Sequence, residues 1–184
     1  MIYFLFIIGI IVGSFLNVLI YRIPRNEEVV KSRSYCPKCN TQLHWYDLIP
    51  LISYIFSKGR CRYCNSKISL QYPLVEILSG LVVVITYLHF PSAVSFKFFL
   101  VLLWLFIVIA YIDYQHQIIP NELNMTLISF GFAYSLISET TIKHMFLNAL
   151  IPFLVIWSII VISKGGMGMG DAKLSLGIGL FIGY

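Results

Sequence analysis

Charge is scarce in this chain. Of 184 residues, 8 are acidic and 13 are Lys or Arg, so 11% are charged, against about a quarter in a soluble domain. With 59% hydrophobic residues and a mean hydropathy of +0.85, the composition excludes a soluble globular domain and describes an integral membrane protein. The apolar runs are continuous and lack the alternation of a transmembrane barrel, so helical spans are expected. No basic segment precedes the first apolar run and no small-residue cleavage site follows it, which excludes an ordinary secretory signal. No cysteine is left unpaired: the four form two CxxC pairs, a pattern that points to metal rather than to a disulfide scaffold. HExxH spacing is absent, and His44, His89, His116 and His144 are scattered as loop or interface histidines. His116 stands closest to a chemical group, three residues past Asp113. Ser14 and Ser163 have no base nearby in the sequence. The net charge of +5 does not imply nucleic acid, because nine of the thirteen basic residues crowd residues 22–72.

That basic stretch sets the topology. By the positive-inside rule it is cytoplasmic, which puts the N-terminus outside. The first span is expected from Met1 to Tyr21, with Gly9, Gly13 and Ser14 suited to a close helix contact and Asn17 read as a packing residue. A second span begins at Tyr72–Pro73 and runs to Phe90, with Pro73 in its first turn. Further spans are expected at 96–114, 122–137, 145–163 and 171–184. The fold class is therefore all-α: a polytopic bundle of six or more membrane helices with a small cytoplasmic loop domain. Three regions follow: a first helix at 1–21, a four-cysteine loop at 22–72, and a membrane core at 73–184. The last segment holds about thirteen residues where a span needs roughly twenty, so the natural chain is expected to continue.

Within the loop, Cys36-Pro-Lys-Cys39 and Cys61-Arg-Tyr-Cys64 are separated by twenty-one residues. Four thiolates at this spacing suit a tetrahedral, closed and hence structural zinc site. Between the knuckles, WYDLIPLISYIF is too short to span and reads as an interfacial segment, with Trp45 and Tyr46 at headgroup level.

The rest of the chain is arranged about Gly165–Leu174, GGMGMGDAKL, which sets Asp171 between two apolar runs. An ionisable group at membrane depth is costly and marks function by default. The span count places Asp113 on the same side at similar depth, with Lys164 and Lys173 inside as well. Two carboxylates sharing a site hold one proton between them, one serving as base toward water and the other as acid toward a carbonyl. Peptide hydrolysis is one reading. A proton-coupled transporter using two membrane aspartates is a second, and a pair of helix-end charges with Asp171 as a cap is a third. Glu76 is either an interfacial carboxylate paired with a loop cation or a substrate-binding group.

These residues also resemble a known family. GSFLNVLIYRIP at 13–24, CPKC, WYDLIPLISY, CRYC, ISLQYPLVE at 68–76, Asp113 with IIPNELN downstream, and Gly168-Met169-Gly170-Asp171-Ala172-Lys173-Leu174 are similar, in order and wording, to the bacterial type IV prepilin peptidases. These are GxGD-type intramembrane aspartyl proteases of the inner membrane. The resemblance implies that Asp113 and Asp171 are catalytic and that Glu76, Gly168, Gly170 and Lys173 bind substrate or support the site. It implies cleavage, after a glycine on the cytoplasmic face, of the basic leader of prepilins or pseudopilins of pilus, secretion or competence systems. It also implies N-methylation of the new terminus from S-adenosylmethionine, although no nucleotide fingerprint is present. Lipid is the surrounding partner.

The topology is open to labelling. With the basic loop inside, a membrane-impermeant maleimide applied from outside should reach Ser92→Cys and Thr141→Cys and leave His116→Cys unlabelled. Labelling at position 116 would place the two aspartates on opposite sides.

Overall fold

The computed structural model describes residues 1–90, 92–138, 141–163 and 168–182. Expectations placed on Lys164, Gly165 and Gly166, on the loop residues Glu139 and Thr140, and on Gly183–Tyr184 fall outside the described residues. The chain divides into two units, Met1–Pro91 and Ser92–Tyr184. The regular elements among the described residues are helices, with two isolated bridges, Tyr35–Gln42 and Arg60–Lys67, and no strand.

The first unit consists of α1 (Ile2–Arg22), the short α2 (Ile52–Phe56) and α3 (Gln71–His89). The helices α1 and α3 are long and apolar enough to cross a membrane. They approach closely because glycine removes side chains at their contact. A Cβ added at Gly9 would lie 2.6 Å from the Gly80 Cα, and one at Gly13 would lie 2.6 Å from the Glu76 Cα. The Ser79 hydroxyl donates to the Gly9 carbonyl at 2.7 Å across the same seam. In hydrocarbon, where burial of apolar surface gives no drive for association, such close packing and interhelical bonding hold helices together. Pro73 sits in the first turn of α3, where its missing N–H leaves no helical bond unmade.

The second unit consists of α4 (Ala93–His116), α5 (Asn121–Ile137), α6 (Ile142–Ile162) and α7 (Met169–Phe181). The start of α4 precedes the expected one because Ser92 caps it, accepting from the Ser95 N–H at 3.4 Å. Leu102, Leu127 and Phe181 form a buried cluster of α4, α5 and α7, and Tyr134 stacks on Phe181 at 5.7 Å. The Ser135 hydroxyl donates to the Leu180 carbonyl at 2.7 Å. Here α4 and α6 are long and apolar enough to span, which makes four such helices among the described residues. The helices α5 and α7 have 17 and 13 residues. At about 1.5 Å per residue they reach about 25 and 20 Å, short of a hydrocarbon core of about 30 Å. Asp171 does not cap α7. Gly168 is the capping residue and Asp171 lies in the first turn.

The glycine seam of the first unit predicts its own sensitivity. Gly13→Ala forces a methyl against the backbone of α3, which a side-chain movement cannot relieve. Overpacking of this kind costs about 1–3 kcal/mol and should lower the thermal midpoint of the protein in detergent micelles. An unchanged midpoint would mean that the helices separate there without cost.

Candidate metal centre and active site

The two cysteine knuckles are built from the same local conformation. In each, the residue after the second cysteine is an asparagine in the left-handed region, Asn40 at φ 55° and Asn65 at φ 60°. Asn adopts this region more readily than most residues. The Asn40 N–H donates to the Cys36 carbonyl at 2.8 Å, and the Cys36 N–H donates to the Thr41 carbonyl at 3.0 Å. The second knuckle repeats both bonds: Asn65 to Cys61 at 2.9 Å and Cys61 to Ser66 at 2.9 Å. Each turn folds its two thiols to one side, and the two turns meet. The four sulfur atoms lie within 4.8 Å of one another, and Cys36 Sγ is 3.9 Å from Cys64 Sγ. All four cysteines are free thiols, and the cluster can hold a metal ion.

The thiols differ in acidity. Burial works to raise Cys36, but the N–H groups of Lys38 and Cys39 outweigh it and leave the thiol below its ordinary range. Burial pushes the Cys61 thiol up. The Ser66 hydroxyl, and then its N–H, bring exposed Cys64 down to about 6. Thiolate is the form that binds metal.

Beneath the knuckles, in the same unit, lies a cavity of about 640 Å³ whose lining includes Phe15, Asn17, Tyr21, Tyr35, Tyr72 and Glu76. Three polar residues built into its walls have structural partners of their own. Arg22, 4% exposed, ends α1 and donates to the carbonyls of Glu28, Val29, Ser32 and Arg33 at 3.0–3.1 Å. It thereby folds the start of the loop around one guanidinium. Asn17 Nδ2 donates to the carbonyls of Gly13 and Tyr72 at 3.3 and 3.1 Å. Glu76, 6% exposed, accepts from the Leu51 N–H at 2.8 Å. The Glu76 carboxylate is therefore bound to loop backbone and to the Ser14 hydroxyl on α1, and neither ion pair among the described residues, Lys31–Glu28 and Arg62–Asp47, includes it. In the sequence Arg22 is one of nine basic residues in 22–72. A cation directly at the end of an apolar span was the available signal.

In the second unit the aspartates stand at helix ends. Asp113 is exposed in the last turn of α4, and its carbonyl accepts from the N–H of Gln117, whose φ of 53° ends the helix. Asp171 is half-buried in the first turn of α7. The neighbours of Asp171 fix that turn. Gly170 packs on Ile119, three residues past the end of α4, where an added Cβ would lie 3.0 Å from the Ile119 Cβ. Fully buried Asn124 donates to the Gly170 carbonyl at 3.3 Å. Lys173 Nζ donates to Asn121 Oδ1 at 2.7 Å, so this lysine pins α7 to the start of α5. In the sequence Asn124 stands out only as part of the IIPNELN motif. Its contact with Gly170 was not visible there.

The class defined by these features is a helical membrane protein with a four-thiol cluster in one unit and two helix-end aspartates in the other. Residues 7–90 match the family model described as the bacterial peptidase A24 N-terminal domain, and residues 100–184 match the type IV leader peptidase family. The chain is 33% identical to the prepilin leader peptidase/N-methyltransferase of Klebsiella pneumoniae, over 98% of this chain and 85% of that one. It is 34% identical to the protein of the same name from Bacillus subtilis, over 97% of this chain and 73% of that one. The Myxococcus xanthus relative is 35% identical over 97% of this chain, which spans only 55% of its length. No solved structure matches. The chain belongs to the type IV leader peptidase family.

The acidity differences are directly measurable. In metal-free, reduced protein near pH 7, Cys64 should carry iodoacetamide well before Cys61, because a pKa of about 6 leaves Cys64 largely thiolate while buried Cys61 stays protonated. Peptide mass spectrometry over pH 5–8 reads the order. Alkylation of Cys61 first would contradict it.

Proposed function

We propose that this chain is an intramembrane aspartyl endopeptidase. It removes the leader of type IV prepilins or pseudopilins after a glycine, on the cytoplasmic face of the inner membrane, and N-methylates the new terminus. The observation that carries the peptidase reading is the docked first turn of α7. Gly170 rests on the turn that follows the Asp113 helix, and Asn124 and Lys173 tie the same turn to α5. Asp171 is thus held on a rigid element beside the chain leaving Asp113. The ionised member of the pair takes a proton from water while the protonated member polarises the scissile carbonyl, so that no covalent intermediate forms. Gly168 leaves open space at the turn, Gly170 lets Ile119 pack against it, and Lys173 supports it from the next turn of α7.

The topology rests on the basic loop, which faces the cytoplasm and leaves the N-terminus outside. In this reading α5 and α7 also lie across the bilayer, completing six membrane segments. The thiol cluster fits zinc. Zn–S bonds of about 2.3 Å in a tetrahedron put sulfurs about 3.8 Å apart, and Cys36 and Cys64 stand at 3.9 Å. With Cys36, Cys39, Cys61 and Cys64 all engaged, the ion has no open position and holds the loop together. S-adenosylmethionine supplies an electrophilic methyl group when bound. The cavity of the first unit suits it, since tyrosine rings and a buried carboxylate attract a sulfonium. Tyr72 and Glu76 would hold it there.

Asp113→Asn and Asp171→Asn should each remove nearly all leader cleavage in matched membranes, with the double variant little worse than either, because residues acting as a unit are non-additive. Asp171→Glu should lose on the order of a hundredfold, since a displacement of about an ångström suffices for that. The readout is shortening of a co-expressed prepilin, with folding checked by detergent-solubilised yield. Substantial cleavage by either Asn variant would eliminate the aspartyl mechanism.

A further inference from the structure

We propose that the cavity of the first unit is a binding site for an α-ammonium group, which the Glu76 carboxylate and Asn17 Oδ1 receive together. The inference rests on the N-methyl transfer reading, because that reaction brings two such groups: the N-terminus of the peptide and the amino-acid end of the methyl donor.

The acceptors are placed by the glycine seam. Gly13 faces Glu76, and Asn17, one turn further along α1, bonds the carbonyl of Tyr72, one turn back along α3. The helices run antiparallel here, so Asn17 and Glu76 stand about one turn, roughly 5–6 Å, apart along facing stripes. Both line the cavity and both are more than nine-tenths buried, at 3% and 6% exposed. Asn17 spends its amide donors on Gly13 and Tyr72, while its Oδ1 has no hydrogen-bond partner. Glu76 accepts from the Leu51 N–H through Oε2 and from the Ser14 hydroxyl, and neither partner brings positive charge. Among the described residues no cationic side chain pairs with this carboxylate. Arg22 is committed to four carbonyls and Arg62 to Asp47. Lys38, Arg60 and Lys67, which also line the cavity, are exposed.

A buried carboxylate without a cation and a buried carbonyl oxygen without a donor demand the same ligand, one that brings positive charge and N–H groups. An ammonium has three such donors in a compact head, and the ring of Tyr72 lines the same cavity, while that of Tyr21 already carries the Arg25 guanidinium 4.0 Å from its centroid. The backbone adds a further sign. Leu51 has φ 58° and ψ −47°, and the Ile52 N–H reaches the Pro50 carbonyl at 2.6 Å. This is a γ-turn of the strained hand, rare for a bulky residue. Its N–H orients the Glu76 carboxylate, so the strained turn aims the acceptor.

The test uses the full chain in nanodiscs. One arm compares binding of a fluorescent apolar peptide bearing a free N-terminus with its N-acetylated twin. The other compares S-adenosylhomocysteine, which has an α-ammonium, with 5′-methylthioadenosine, which does not. Wild type should prefer the ammonium-bearing member at least tenfold in one arm or both, and that arm identifies the source. Glu76→Gln keeps an acceptor for Leu51 but removes the charge, and should bring the preference close to one. If that variant does not fold, Glu76→Asp, which keeps the charge but withdraws it by a methylene, should lower the preference severalfold. Absence of a wild-type preference in both arms, or its persistence in a folded Glu76→Gln or unchanged in Glu76→Asp, overturns the proposal. The mass of the product that wild type releases from a co-expressed prepilin is scored in parallel: a methylated new terminus, or its absence, decides the N-methyl transfer reading alone.

Discussion

In hydrocarbon a polar group has no water to return to, and the packing of each unit follows from that constraint. Backbone groups are satisfied by making helices. Side chains that remain polar must find partners on a neighbouring helix, and they can do so only where backbones come close. Glycine provides the approach. The α1–α3 contact at Gly9 and Gly13 puts the Ser79 hydroxyl on the Gly9 carbonyl and Asn17 on the Tyr72 carbonyl. In the second unit, Gly170 against Ile119 and Gly131 against Leu180 lie beside the Asn124–Gly170 and Ser135–Leu180 bonds.

The same constraint singles out what is left unsatisfied. A soluble protein hides an unpaired oxygen or carboxylate at the cost of a nearby water. Within a membrane unit such a group is expensive, so its persistence asks for a ligand. Asn17 Oδ1 and the uncompensated Glu76 carboxylate are of this kind. Arg22 shows the opposite case. A buried cation is there fully consumed by four carbonyls, and its work is to fold the loop onto the end of α1.

The chain thus combines two kinds of order. The cysteine loop, largely polar and lacking an extended sheet, is shaped by two repeated knuckles whose thiols converge. The helices are shaped by seams of small residues. Each unit carries its own chemistry: thiols and a carboxylate-bearing cavity in the first, helix-end aspartates in the second. Their positions along the chain are those of the matched family regions, 7–90 and 100–184.

Much of this was legible in residue order, because the relevant signals are local. Apolar runs announce helices: α1, α3 and α5 begin and end within about a residue of the expected limits, and α4, α6 and α7 begin two or three residues early. The knuckles were legible too, since CxxC spacing is a statement about one turn of backbone. The sequence admits an interfacial ion pair or a substrate role for Glu76, whereas its backbone partner, the Leu51 N–H, lies twenty-five residues away. Nothing local could choose it. Arg22, Asn17 and Asn124 are of the same sort, for their partners are carbonyls, which every residue possesses and no sequence distinguishes. Helix existence, polarity and thiol pairing were therefore determined by the sequence alone, through periodicity, transfer energy and spacing. Which carbonyl meets which amide, and which buried acceptor goes without, was decided only when glycine seams brought distant backbones within hydrogen-bonding reach.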